Sequence, residues 1–228
     1  SAWDEIKQNA LAASAPGGAA ERVADLLLAL RHRLGGLEVH LVGHSAGSIL
    51  MAPLVDLLGA RGIGVKTCTL WAPACRVDLF TRHYQPALQA GRIEKMTLFA
   101  LTDQTEQDDH CAGIYNKSLL YLVSNAFEEQ PRILAFRDGE PILGMERFID
   151  RALMKRLGVD LVLAPNTEPA DSLSASGAQH HGDFDDDPRT VSATFRRVVA
   201  AAAVAPAPPV GSTRRPARAA PSASAVAR

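Results

Sequence analysis

The chain has 228 residues, is 47% hydrophobic and 21% charged, and carries a formal net charge of −1. A chain of this size buries a core without disulfides or a structural metal, and its balanced charge points neither to nucleic acid nor to an anionic membrane as main partner. Its three cysteines, Cys68, Cys75 and Cys111, are odd in number, far apart and in no metal-ligand spacing, which reads as reduced thiols in a cytoplasmic protein.

The first residues, SAWDEIKQNA, are polar and charged and do not read as a secretory signal. They lack an initiator methionine, which fits processing or a piece of a longer protein. No apolar run reaches the roughly 18 residues a membrane span needs. In ERVADLLLALRHRL, the residues Val23, Leu26, Leu27, Leu30 and Leu34 recur at helical spacing and predict a helix. Gly35-Gly36 ends it. LEVHLV predicts a strand, Ser48 to Leu58 a helix, and VKTCTLW a second strand. RVDLFTRHYQPALQAG reads as helix and loop, and KMTLFAL as a third strand. YNKSLLYLVSNAFEE predicts a helix with Leu119, Leu120, Val123 and Phe127 on one side. RILAFRDGEPILGM reads as a small hairpin turning at Asp138-Gly139. MERFIDRALMKRL predicts one amphipathic helix that gathers Phe148, Ile149, Leu153 and Leu157. VDLVLA is a fourth strand. RTVSATFRRVVAA is a final helix, with Asp187 as N-cap and Pro188 at the first helical position.

Residues 1–204 thus read as one domain. Beyond it, residues 205–228 are Ala, Pro, Ser and Arg without an aromatic residue or a period, and predict a disordered tail. Strands alternating with helices predict βαβ units and an α/β fold with a mostly parallel, doubly wound sheet. Nearly continuous apolar strands agree, because strands covered on both faces need no polar alternation.

The sharpest feature is Gly43-His44-Ser45-Ala46-Gly47, placed where a strand meets a helix. A serine hydroxyl is a poor nucleophile at neutral pH, and needs a base and donors for the oxyanion that forms after attack. It must also stand clear of the sheet. A sharp strand-to-helix turn lifts it, and small residues two positions before and after it relieve crowding, which is the mechanical sense of G-x-S-x-G. The pattern alone arises by chance in roughly one such chain in ten; the strand before it and the helix after it give it weight. His44 adjoins the serine, and successive side chains at a tight turn diverge, so His44 is expected to pack under the turn.

With this motif in this context the chain resembles a serine α/β-hydrolase, the superfamily of esterases, lipases and thioesterases, over roughly Gly36 to Val204. The resemblance covers the C-terminal two-thirds of such a domain and implies a sheet incomplete on its N-terminal side. It implies the order nucleophile, acid, histidine. The acid is expected after the second strand beyond the nucleophile strand, where KMTLFAL leads into TDQTEQDDH. Asp103 is the first carboxylate there, with Glu106, Asp108 and Asp109 as rivals. The histidine is expected between the last strand and last helix, where His181 fits best and His180 is the alternative. The backbone N–H of Ala46 would supply one oxyanion donor; the second is expected from a loop after an earlier strand, which has no counterpart in this sequence.

Asp183, Asp185 and Asp187 imitate the start of a calcium loop. Pro188 stands where that loop needs glycine, and Thr194 where it needs glutamate, so an EF-hand is rejected. The implied function is hydrolysis of an ester or thioester of a small-molecule acyl substrate through an acyl-enzyme on Ser45, with no cofactor, metal or nucleic acid. The alternatives are a non-catalytic module of a larger protein and an acyltransferase using the same nucleophile.

Overall fold

The computed structural model describes residues 2–109, 118–127 and 139–203. The tail 205–228, Cys111 and most of the expected hairpin with its Asp138 lie outside the described residues. Two helices, α1 (Ala2–Ala12) and α2 (Ala19–Leu34), precede β1 (His40–His44). Then come α3 (Gly47–Ala60), β2 (Val65–Trp71) and a helical run built of α4 (Val77–Leu79), a π turn (Phe80–Tyr84) and α5 (Gln85–Gln89). β3 (Ile93–Leu101) is followed by α6 (Asp103–Asp108) and α7 (Leu119–Leu122); α8 (Arg151–Leu157), β4 (Val159–Ala164) and α9 (Pro188–Ala202) complete the order.

The four strands form one sheet in the order β1-β2-β3-β4, and every neighbouring pair is parallel. The α/β class and the parallel sheet expected from the sequence are therefore present. The strands' own composition explains their place: Leu70, Leu98, Phe99 and Leu101 are fully buried, so water is removed from both faces of the central strands and no polar alternation survives.

Helices lie on both faces. A Cβ on Gly43 would meet Met51 of α3, so Gly43 faces α3. Alternation turns Val42 to the opposite face. The row Val42–Thr69–Thr97 runs across the sheet there, and Arg197 of α9 donates to Thr97 Oγ1 at 3.1 Å. Helices α3, α5 and α8 pack against one another and on the strands beside them, whereas α9 crosses the other face.

Two local readings differ from the structure. The expected helix over 145–157 is split: Glu146–Phe148 is a 3-10 turn, and α8 starts afresh because Asp150 caps it, accepting the Leu153 N–H at 2.9 Å. Of the apolar stripe of α2, only Leu27 packs, half-buried, against the core. Ala20 and Ala24 are buried, while Val23, Leu26, Leu30 and Leu34 are exposed, Leu34 to 61%. Arg61 at the end of α3 holds Asp25 at 2.6 Å and Arg31 reaches the Gly62 carbonyl at 2.6 Å, which fixes the small-residue side of α2 inward. On α9 the sheet side is Thr190, Ala193 and Thr194, and Phe195 stands 66% exposed with Val191 and Val199. Among the described residues, the free edge of β1 has no strand beside it.

Candidate active site

The β1–α3 turn places Ser45 at φ 52°, a left-handed conformation that a residue with a Cβ enters at a cost of about 1–2 kcal/mol. A compact hydrogen-bond set holds it. The Ser45 N–H donates to the Trp71 carbonyl at 2.9 Å, and the Ser45 carbonyl accepts from the Ala74 N–H at 3.1 Å. Ser48 Oγ also donates to that carbonyl at 2.7 Å and accepts the Cys75 N–H at 3.0 Å. The hydroxyl of Tyr84 caps the set on the Ser48 carbonyl at 2.6 Å. Gly43 has a steric reason: its Cβ would fall 2.4 Å from Met51 Sδ. Gly47 has none, for a Cβ there meets nothing within 4 Å; crowding lies before the serine, where the Met51 thioether would have to shift, and not after it.

His181 comes from the loop between β4 and α9. Its Nε2 lies 2.9 Å from Ser45 Oγ, and its ring is buried. Burial first, and then the charge of His44, push its pKa down to about 4, with Asp109 opposing. At neutral pH the ring is therefore uncharged, and Nε2 can accept the serine proton. Its Nδ1 is buried with no hydrogen-bond partner among the described residues.

The structure brings together Ser45 and His181, but not Asp103. Thr102 caps α6 by accepting the Thr105 N–H at 3.2 Å, which makes Asp103 the first residue of that helix, a position that favours a carboxylate. Asp103 accepts the Tyr121 hydroxyl at 2.6 Å and the Gln107 amide at 2.7 Å, and it makes no hydrogen bond to His181. Asp108 is exposed and accepts from Gln104 at 2.8 Å. Glu106 turns into the core, fully buried. Its Oε2 accepts from Ser118 Oγ at 2.6 Å, and its Oε1 has no partner among the described residues. Burial pushes the Glu106 pKa up to about 8, the Ser118 bond opposes, and the charges of Asp109 and Asp103 add to the rise.

Asp109, the residue after α6, is the carboxylate that meets the histidine loop. It is buried; Oδ1 sits 2.7 Å from His180 Nδ1, and Oδ2 accepts the His181 N–H at 3.3 Å. His180 itself points outward, its side chain 62% exposed; the bond to Asp109 raises its pKa. His44 does more than pack under the turn: its Nε2 donates to the His181 carbonyl at 2.9 Å.

The N–H of Ala46 makes none of the backbone hydrogen bonds that tie this turn and lies at the start of α3, where donors and dipole favour an anion. The residues described before β1 form helices and no strand, so no earlier-strand loop among the described residues offers a second donor. The acids after His181 serve the loop: Asp183 accepts the N–H groups of Gln179 and His180 at 2.9 and 2.8 Å, and Asp187 caps α9, accepting from Thr190 at 2.9 Å. No group of three metal-ligating side chains occurs among the described residues. Cys68 and Cys75 are buried free thiols, held up to about 12 by burial, which leaves them inert. No helix among the described residues is long and apolar enough to cross a membrane.

Comparison of the chain with protein-family models, with curated proteins and with solved structures finds no match.

Proposed function

We propose that this protein is a serine hydrolase of the α/β-hydrolase type, acting on an ester or thioester. The observation that carries the reading is the 2.9 Å approach of His181 Nε2 to Ser45 Oγ at a serine held in a left-handed turn. Ser45 attacks the acyl carbon while neutral His181 takes its proton; the imidazolium returns that proton to the leaving group, and water repeats the sequence on the acyl-enzyme. The Ala46 N–H faces the developing oxyanion. Asp109, two hydrogen bonds deep in the histidine loop, is the carboxylate that favours the imidazolium; Asp103 is kept in a structural role.

The deciding experiment is labelling of the folded chain with a fluorophosphonate and mapping the adduct by mass spectrometry. Label on Ser45 that vanishes in Ser45→Ala supports the reading; folded wild-type protein left unlabelled at Ser45 overturns it. One observation favours the second reading, a non-catalytic module: His181 Nδ1 is buried without a partner among the described residues, whereas a working triad donates that proton to a carboxylate.

A further inference from the structure

We infer that His44 is a positioning residue for this chemistry, a role that rests on the hydrolase reading of Ser45 and His181. His44 is the last residue of β1 and is bonded covalently to Ser45. Its side chain shares the face of Val42, the face crossed by α9, and stands edge-on to Trp71 and Phe184 with ring centroids 6.5 and 6.4 Å away. Those contacts aim Nε2 at the His181 carbonyl, 2.9 Å off. With Nε2 donating to that carbonyl, Nδ1 is the ring nitrogen that faces Asp185 Oδ1, at 3.9 Å. The rings of His44 and His181 lie 5.3 Å apart, tilted by 31°.

The need for such a residue follows from how little else fixes His181. Its Nδ1 has no partner among the described residues, so none of their carboxylates accepts a hydrogen bond from the ring and sets it. Its polar restraints are Ser45 Oγ at one ring nitrogen and the main chain at either side: Asp109 on the N–H and His44 on the carbonyl. The segment 165–187 that carries His181 has one 3-10 turn, Asp183–Asp185, as its regular structure. His44 closes a short circuit from Ser45 through its own backbone and ring to His181 and back to Ser45 Oγ. It transmits the position of the strained turn to the base, so that serine and imidazole move together. A shift of about 1 Å between reacting groups costs on the order of 10²-fold in rate.

The test uses three variants of the full chain. His44→Phe keeps the ring volume against Trp71 and Phe184 and removes the donor. His44→Asn is too short to span to the carbonyl and serves if the phenylalanine does not fold. His44→Gln retains an N–H that can reach the same acceptor. Fluorophosphonate labelling of Ser45 is measured over a range of probe concentrations, alongside the thermal midpoint of each protein. The expected result is a maximal labelling rate 10- to 100-fold lower in His44→Phe or His44→Asn, with the half-saturating probe concentration unchanged, and recovery of most of that rate in His44→Gln. A wild-type rate in folded His44→Phe or His44→Asn overturns the inference and leaves the Ser45 reading intact. Wild-type protein unlabelled at Ser45 overturns both.

Discussion

Ser45 Oγ and His181 Nε2 meet at 2.9 Å across 136 residues of sequence. Neither residue can reach the other by local structure. The meeting needs β1 and β4 to run parallel in one sheet, so that the turn after β1 and the loop after β4 open at the same end. Ser45→Ala and His181→Ala should each lower hydrolysis of a short chromogenic ester by at least about 10³-fold with unchanged thermal midpoints. Variants that hydrolyse at the wild-type rate would show that the pair is not the machinery.

Asp109 and Asp103 divide the roles that the sequence leaves open. Asp109→Asn should slow Ser45 labelling by about 10²- to 10⁴-fold, because it takes the negative charge from beside His181. Asp103→Asn should leave that rate within a few-fold and instead lower stability by about 1–2 kcal/mol through the weakened Tyr121 bond. Denaturant midpoints measured together with labelling rates separate the two. The reverse pattern would restore Asp103 as the acid.

His181 sets the acid limb of the rate. Its proton-free form is the base, and burial with the His44 charge lowers its pKa from 6.5 to about 4. Labelling should therefore stay level as pH falls through 6 and decline only near pH 4. The same shift makes the fold acid-sensitive. Between pH 6.5 and 4 the unfolded chain takes up this proton before the folded one does, so stability present above pH 6.5 is lost as pH falls, by about 3 kcal/mol in all. A rate limb near pH 6.5 would mean that the imidazole is hydrated in the working protein.

Glu106 acts in the opposite sense. Its pKa is raised from 4.5 to about 8, so the folded state holds a proton that the unfolded chain releases, and stability falls as pH rises from 4.5 to 8. The two slopes oppose each other up to pH 6.5; above it only the loss at Glu106 continues. Glu106→Gln, an imitation of the protonated acid, should raise the thermal midpoint by several degrees at pH 8 and change it little at pH 5. Equal shifts at both values would show that Glu106 is ionised throughout.

The strands, the nucleophile turn and the Asp187 cap were legible because each is a local rule: apolar runs, glycine beside serine, aspartate before proline. The place of Asp109 was not, although a signal existed. Thr102 followed by Asp103 is a helix start, and a helix there removes Asp103 from reach and carries the chain on to Asp109. Asp150 ahead of Leu153 is the same kind of signal for α8. The contact of His44 with His181 leaves no local trace, since it joins residues 137 apart. Periodicity found α2 but not its orientation: the leucine stripe and the alanine side both repeat at helical spacing, and it is Ala20 and Ala24, with Leu27 and Leu28 beside them, that meet the core.

That orientation leaves an apolar border to the domain. Val42 on the edge strand is exposed, and so are Val23, Leu26, Leu30 and Leu34 of α2 and Phe195 with Val191 and Val199 on α9. On α9, Phe195 lies on the side away from Arg197, which reaches Thr97 of β3 and Asp160 of β4; it therefore flanks the β1 side, where Val42 is bare. An unpaired strand edge bordered by apolar side chains is a site of association. The chain should bind a hydrophobic dye in its folded state and sediment faster as its concentration rises. Val42→Lys combined with Phe195→Lys should reduce both effects while shifting stability by no more than about 0.5 kcal/mol each, as befits exposed positions. Sedimentation velocity and dye fluorescence check this directly. If the double variant unfolds, those side chains are core and the border is closed in solution; if it folds and associates as before, the contact lies on another face.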